Sequence, residues 1–264
     1  MTDLLAELTD DDAEAARVIP CLLLDGDRLV KTRRFAEPAY VGDPVNVLSL
    51  FNAFEVDEMV LLDIGGARSR TPASLEALRR YATECFIPLA YGGGLSTMDQ
   101  VEAVLAAGFE KVVLNTAIVD HPGVVSEASR VYGAQAVVAS VDVRGGIGGE
   151  AFVAGGARPV GAGPLEWARR AEELGVGEIL LTSIDREGTM EGWDLELIGE
   201  VASAVSVPVI AHGGAAKRKE LGAPVREAHA SAVAAGSLFV FQGPQRGVLI
   251  NYPARAQLVR LMQP

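Results

Sequence analysis

Eight short runs of Val, Ile and Leu, each followed by a longer amphipathic stretch, constrain this chain more than any other feature it has. Parallel strands covered on both faces read as continuous apolar segments, and each connection between them must cross the sheet, usually as a helix. Strands are expected to begin near Val18, Met59, Ile87, Val112, Ala136, Ile179, Val207 and Ala230. Eight strands alternating with helices suffice to close a barrel, and 264 residues suit one (β/α)8 barrel, a TIM-barrel architecture of roughly 250 residues. The expected organisation is a single α/β barrel domain over residues 17–264, preceded by an acidic N-terminal extension over residues 1–16.

Helix starts support the alternation. Asp43 stands before Pro44 as an N-cap before proline at the first helical position, and Thr71 stands before Pro72 in the same way, so helices are expected over Pro44–Phe54 and Pro72–Glu84. Pro164–Leu174, Leu195–Ala204 and Ala254–Met262 carry apolar faces at helical spacing, and Lys217–Ala228 follows that pattern less closely. Two segments read as functional loops. Leu24–Tyr40, with Lys31, Arg33 and Arg34, follows the first strand, and Val143–Gly163 holds eight glycines in the longest irregular stretch, a lid or binding element by its length.

Charge narrows the partners. A net charge of −12 without a basic run argues against a polyanionic surface, so neither nucleic acid nor membrane is expected as a partner. Six acids and no Lys or Arg in residues 1–16 are the reverse of a secretory signal's basic start, and no run reaches the roughly 18 apolar residues of a membrane span. Cys21 and Cys85 offer neither a disulfide framework nor a CxxC metal spacing. A cytoplasmic protein without metal or cofactor is the expectation.

Corresponding features recur about half a chain apart. Gly93 and Gly213 are 120 residues apart, Leu23 and Asp142 are 119 apart, and Thr116 and Gly236 are 120 apart, as in two fused four-strand halves. Gly92-Gly93-Gly94 and Asn115-Thr116 end neighbouring strands of the first half, and Gly213-Gly214 and Ala235-Gly236-Ser237 take equivalent places in the second. The second pair of places is the usual phosphate site of such barrels, and glycine lets backbone N–H groups approach an anion closely. A lone Gly-Gly turns a tight corner as often as it binds phosphate; four linked places at one offset favour a ligand with two phosphates.

Asp142, ending the fifth strand, is placed as a general base, with helix capping as the plainer alternative and Asp63 and Asp185 as competitors. Lys31 is a candidate to clamp a phosphate or contact a reacting carbonyl. At the opposite rim Arg17, Glu58, Lys111 and Glu178 each stand directly before an apolar strand, and four such charges could form a closed ring; on position alone, solubility and stability explain them best. His121, His212 and His229 have no metal or nucleophile spacing, and His212 alone lies on the active rim. Trp193 reads as packing for the next helix.

The segments RVIPCLL, DGDRLVK, GDP, VDEMVLLDI, YGGG, VVLNTAIV, GAQAVVASVDV, GEILLTSIDREGT and PVIAHGG occur in the order of one family. From Arg17 to about Phe239 the chain resembles the cyclase subunit of imidazole glycerol phosphate synthase, the HisF family. That resemblance implies ammonia from a glutaminase of the HisH type at the barrel bottom, passage through the core, and ring closure on a phosphorylated small molecule at the top. It places Asp142 and Lys31 in catalytic positions, and Gly92, Gly93, Gly94, Asn115, Thr116, Thr182, Gly213, Gly214, Ala235, Gly236 and Ser237 in the phosphate sites. It makes Arg17, Glu58, Lys111 and Glu178 the charged gate for ammonia.

The chain departs from the family at Leu23, where the first catalytic aspartate should stand; leucine exchanges no proton. Barrel paralogues associated with amidination of surface sugars, which serve with a glutaminase and a separate amidotransferase, are similar in these leucines. They are similar also in Tyr40–Pro44, in Glu84-Cys85-Phe86 and in the ending Phe241–Pro253. The function implied is ammonia-dependent amination or amidination of a phosphorylated or sugar-derived substrate outside histidine synthesis. The alternatives are a genuine histidine-pathway cyclase and a non-catalytic ammonia conduit.

Overall fold

The computed structural model describes residues 16–243 and 245–263; the acidic extension expected over residues 1–16 lies outside them except for Ala16. Eight parallel strands close a barrel: β1 (Arg17–Asp25), β2 (Met59–Asp63), β3 (Leu89–Gly92), β4 (Lys111–Leu114), β5 (Val137–Arg144), β6 (Glu178–Ser183), β7 (Val209–His212) and β8 (Ala232–Ala235). Each pairs with the next in chain order, and β8 returns to β1 with Arg17 opposite Ala232 and Pro20 opposite Ala235. Ile19, Cys21, Val60, Ala90, Val113 and Leu180 fill the interior, while Leu48, Phe51, Leu78, Tyr81 and Phe239 pack between strands and helices. Among the described residues no helix is long and apolar enough to cross a membrane.

Caps set the crossover helices. The Asp43 side chain accepts from the Asn46 N–H at 3.0 Å and Pro44 opens the helix Pro44–Ala53. Thr97 and Gln100 form a reciprocal capping box before Met98–Ala106, and Asp194 caps Leu195–Ala204. The helix expected from Pro72 begins at Leu75, because Ser74 and not Thr71 supplies the capping oxygen, to the Ala77 N–H. Lys217–Ala228 divides into a 3-10 turn, Arg218–Glu220, and a short helix, Ala223–Ala228.

Strands β3 and β7 start two residues later than their apolar runs. Pro88 and Pro208 have no N–H to donate, so regular pairing waits until they are passed, although their carbonyls accept from Met59 and Ile179 at 2.9 Å each. Both expected loops contain strands. Arg28–Arg33 and Ala36–Gly42 form a hairpin that extends β1, and Glu150–Val153 pairs with β5 and with Arg158–Pro159.

The half-barrel repeat is visible in backbone packing. A Cβ on Gly93 would meet the Asp63 carbonyl oxygen at 2.2 Å, and one on Gly213 would meet the Ser183 carbonyl oxygen at 2.7 Å. Both glycines have positive φ, +130° and +97°. Each half thus folds its third strand end against the end of its second, at sites 120 residues apart. The short helices Ala117–Asp120 and Ser237–Val240 repeat the correspondence.

Candidate active site and the charged ring beneath it

All eight strands point their carboxyl ends to one rim, and there the inward positions differ by side. Strands β1 and β2 present Leu23 and Leu62, whereas β4 to β7 bring Asn115, Asp142, Thr182 and His212 to the mouth. Asp142 is paired in register with Thr182, and Thr182 with His212, so the three stand side by side across adjacent strands. Asp142 Oδ1 accepts from the Ser140 hydroxyl at 2.9 Å and Oδ2 from Asn115 Nδ2 at 3.2 Å. Burial pushes its carboxyl up to about 7 against the opposing hydrogen bonds from Ser140 and Thr182. A buried carboxyl that titrates near neutrality is suited to taking up and returning a proton.

Lys31 lies on the hairpin strand Arg28–Arg33 and is 3% exposed; its ammonium is ion-paired with Glu187. A Cβ added to Gly236 would come within 2.7 Å of both Lys31 Nζ and the Cys21 carbonyl oxygen, so the lysine reaches the second-half glycine site. Burial alone would raise the Glu187 carboxyl, but the Lys31 ammonium and His212 outweigh it and hold it below its ordinary range. His212 completes the group, with Nδ1 3.1 Å from the Thr182 hydroxyl and Nε2 3.4 Å from Glu187 Oε2.

The glycine sites differ in what already engages them. In the second half, Gly213 and Gly214 take φ near +97°, and a Cβ on Gly214 would meet the Gly192 carbonyl oxygen at 2.1 Å. Ala235 and Gly236 lead to Ser237, whose buried hydroxyl has no hydrogen-bond partner among the described residues; nor has that of Ser183. An unpaired buried hydroxyl is costly, and a phosphate oxygen beside Gly236 would satisfy that of Ser237. In the first half, beside Gly92, Gly93 and Gly94, the Thr116 hydroxyl already accepts from Ala154 N–H at 3.1 Å, and Asn115 also reaches Phe152 O at 3.4 Å. The Glu150–Pro159 segment therefore covers that half.

Asp63 and Asp185 serve local structure. Asp63 caps the short helix Ile64–Ser69 through the Gly66 N–H at 2.7 Å and accepts from the Tyr91 hydroxyl at 2.9 Å. Asp185 Oδ2 accepts from Gly145 N–H at 2.6 Å, holding the glycine-rich segment after β5. Trp193 is 8% exposed and donates to the Glu220 carbonyl at 2.9 Å, as a packing residue does.

At the opposite rim the four charges do close a ring. Arg17 bonds Glu58 through Nη1 and Glu178 through Nη2, the latter at 2.5 Å, while Lys111 Nζ bonds the other oxygens of Glu58 and Glu178 at 2.9 and 3.0 Å. Every carboxylate oxygen in the ring faces one cation. Above it lie Ile19, Val60, Val113 and Leu180, inward-facing and apolar. The strand period of two explains the arrangement, since each charge sits two residues before an interior apolar residue on its strand.

Glu187 and the pairing of His212 escape sequence reasoning. Glu187 lies in a loop, where no period says which way a side chain points, and its partner Lys31 is 156 residues away. His212 gives a weak signal, as the one histidine at a strand's carboxyl end.

The model of the histidine biosynthesis protein family matches residues 17–244. A Pseudomonas aeruginosa protein named "Putative imidazole glycerol phosphate synthase subunit hisF2" is 48% identical over 239 residues, covering 90% of this chain and 95% of that one. Similarly named proteins of Leptospira interrogans (HisF) and Vibrio vulnificus (hisF3) are 38% identical over 242 residues and 37% over 251. They cover 90% and 94% of this chain, and 95% and 96% of their own lengths.

Proposed function

Because the chain belongs to the histidine biosynthesis protein family, on its HisF-like cyclase-subunit branch, we propose that it is the synthase half of a glutamine amidotransferase with altered chemistry at its upper rim. A HisH-type glutaminase docks on the lower rim and releases ammonia at the ring of Arg17, Glu58, Lys111 and Glu178. The ammonia passes up the barrel to a phosphorylated or sugar-derived substrate, in a pathway other than histidine synthesis. Two glycine sites hold that substrate's phosphates, Lys31 neutralises charge beside the second, and Asp142 is the base. A separate amidotransferase completes transfer to a sugar.

The closed ring carries this reading. Four charges joined by four ion pairs beneath an apolar interior form a polar closure through which a small neutral molecule would enter when one pair opens. A barrel bottom that served stability alone would need no such closure at its axis. Leu23 supports the altered chemistry, because it removes a proton-exchanging side chain from the β1 end of the rim.

The partner is tested by mixing the purified chain with a HisH-type glutaminase from the same organism. A 1:1 complex in sedimentation, weakened by charge reversal at Lys111, is expected. Two proteins that sediment separately at micromolar concentration would remove the docking claim.

A further inference from the structure

Glu187 places a carboxylate in a cradle otherwise built for an anion. It lines the small cavity of the second-half glycine site together with Gly213, Gly214, Gly236 and Ser237, and it is 3% exposed. An observation separate from the glycines marks this cavity as a ligand site: the buried Ser237 hydroxyl lines it without a hydrogen-bond partner among the described residues. Lys31 Nζ, ion-paired with Glu187 Oε1, lies 2.7 Å from the place that a Cβ on Gly236 would take. Ammonium and carboxylate therefore cancel at the cradle wall. His212, with Nε2 3.4 Å from Glu187 Oε2, is held below the ordinary imidazole range, chiefly by burial, and adds no full charge near neutrality. Arg186 is engaged by the Gly192 carbonyl at 3.3 Å and by Asp194 at 3.9 Å.

The backbone beneath the carboxylate is held on several sides. Glu187 N–H donates to the Ser183 carbonyl at 2.9 Å, and its own carbonyl accepts from Arg34 N–H at 2.8 Å. Arg246 Nη2 donates to the next two carbonyls, of Gly188 and Thr189, at 2.9 Å each. Gly188, at φ +73°, packs so closely that a Cβ there would meet the Thr32 carbonyl oxygen at 2.0 Å. A ligand entering the cradle must accommodate Glu187 where it stands. A phosphoryl dianion would face this buried carboxylate with one ammonium between them, and like charges repel strongly where water is excluded.

We propose that Glu187 is the specificity-determining residue of the second cradle, accepting a hydrogen bond from a singly protonated phosphoryl group and rejecting oxyanions that carry no proton. The substrate end bound there is a phosphomonoester in its monoanionic form. Its P–OH donates to the Glu187 carboxylate, while its other oxygens accept from Lys31 and from the Ser237 hydroxyl. The Lys31 ammonium has three donors and serves Glu187 and a phosphoryl oxygen together. No bond to phosphorus forms or breaks, and the proton stays between the two acids. The inference rests on the phosphate site of the proposed function and adds which form of phosphate that site selects.

The test titrates inorganic phosphate and sulfate into the full chain and follows the amide signals of Gly214, Gly236 and Ser237 by NMR. At about pH 7.5 the two ions match in shape and nearly in charge, and differ in the proton that phosphate keeps. The parent should bind phosphate more tightly than sulfate by about tenfold or more, because an ion without a donor leaves the carboxylate unsatisfied. Glu187→Gln, whose amide donates as well as accepts, should bring the two affinities within about threefold, and Glu187→Asp should keep the preference. Equal affinities in the parent overturn the inference while leaving the phosphate site standing, and they do so even where Glu187→Gln fails to fold. A preference that Glu187→Gln leaves intact overturns it equally. Amides that answer neither ion up to about 50 mM, in parent and variant alike, would remove the phosphate site of the proposed function and this inference with it.

Discussion

Asp142 joins stability to chemistry. Its folded carboxyl titrates near 7 against 3.8 when free, chiefly through burial, so between these values the folded chain holds a proton that the unfolded chain has released. Folding stability should therefore be highest, as far as this group is concerned, below the free value, and should decline as pH rises to about 7. The full effect is on the order of 4 kcal/mol. Asp142→Asn should accordingly be more stable than the parent by the full effect at pH 8 and by less than half of it at pH 5, measured by urea unfolding at both; a variant whose advantage over the parent does not grow from pH 5 to pH 8 contradicts the assignment. Gly93 is constrained differently. At φ +130°, with a Cβ only 2.2 Å from the Asp63 carbonyl oxygen, Gly93→Ala must shift backbone, and a loss of about 3 kcal/mol or more is expected in the same assay.

Elements explain what the sequence could and could not say. Strand number, the half-chain repeat and the alternation of strand and helix follow from periods of two and 3.6 and from proline and capping residues, all local signals. The ring was legible for the same reason, since Arg17, Glu58, Lys111 and Glu178 hold the same phase on their strands. The hairpin Arg28–Gly42 was not, because its strand Ala36–Gly42 is mostly exposed and shows no apolar alternation. Its inner strand is fixed by tertiary contact: Lys31 pairs with Glu187, the Arg34 N–H donates to the Glu187 carbonyl at 2.8 Å, and Gly188 lies against the Thr32 carbonyl. Lys31→Met leaves a buried carboxylate alone and should cost about 3–5 kcal/mol, while Lys31→Met with Glu187→Leu should recover much of it. Additive losses in that double-mutant cycle would mean that the pair is not coupled.

At the scale of the whole molecule the proposed function joins two rims, with the ring below, the apolar interior between, and Asp142, Thr182 and His212 on adjacent strands above. Opening the ring should affect one source of nitrogen more than the other. Lys111→Met in the two-protein complex should reduce incorporation of nitrogen from labelled glutamine several-fold more than from labelled ammonium salt; equal losses would make the ring structural. The upper rim decides whether a family barrel has kept its family's reaction. The most direct measurement supplies the purified chain with the bisphosphate aminoimidazole precursor and ammonium salt, and follows the imidazole product for the parent and for Leu23→Asp. The account predicts little or no product from the parent and a gain of about 100-fold or more in Leu23→Asp, the usual weight of an acid-base group. Robust turnover by the parent, unimproved by the aspartate, would contradict it.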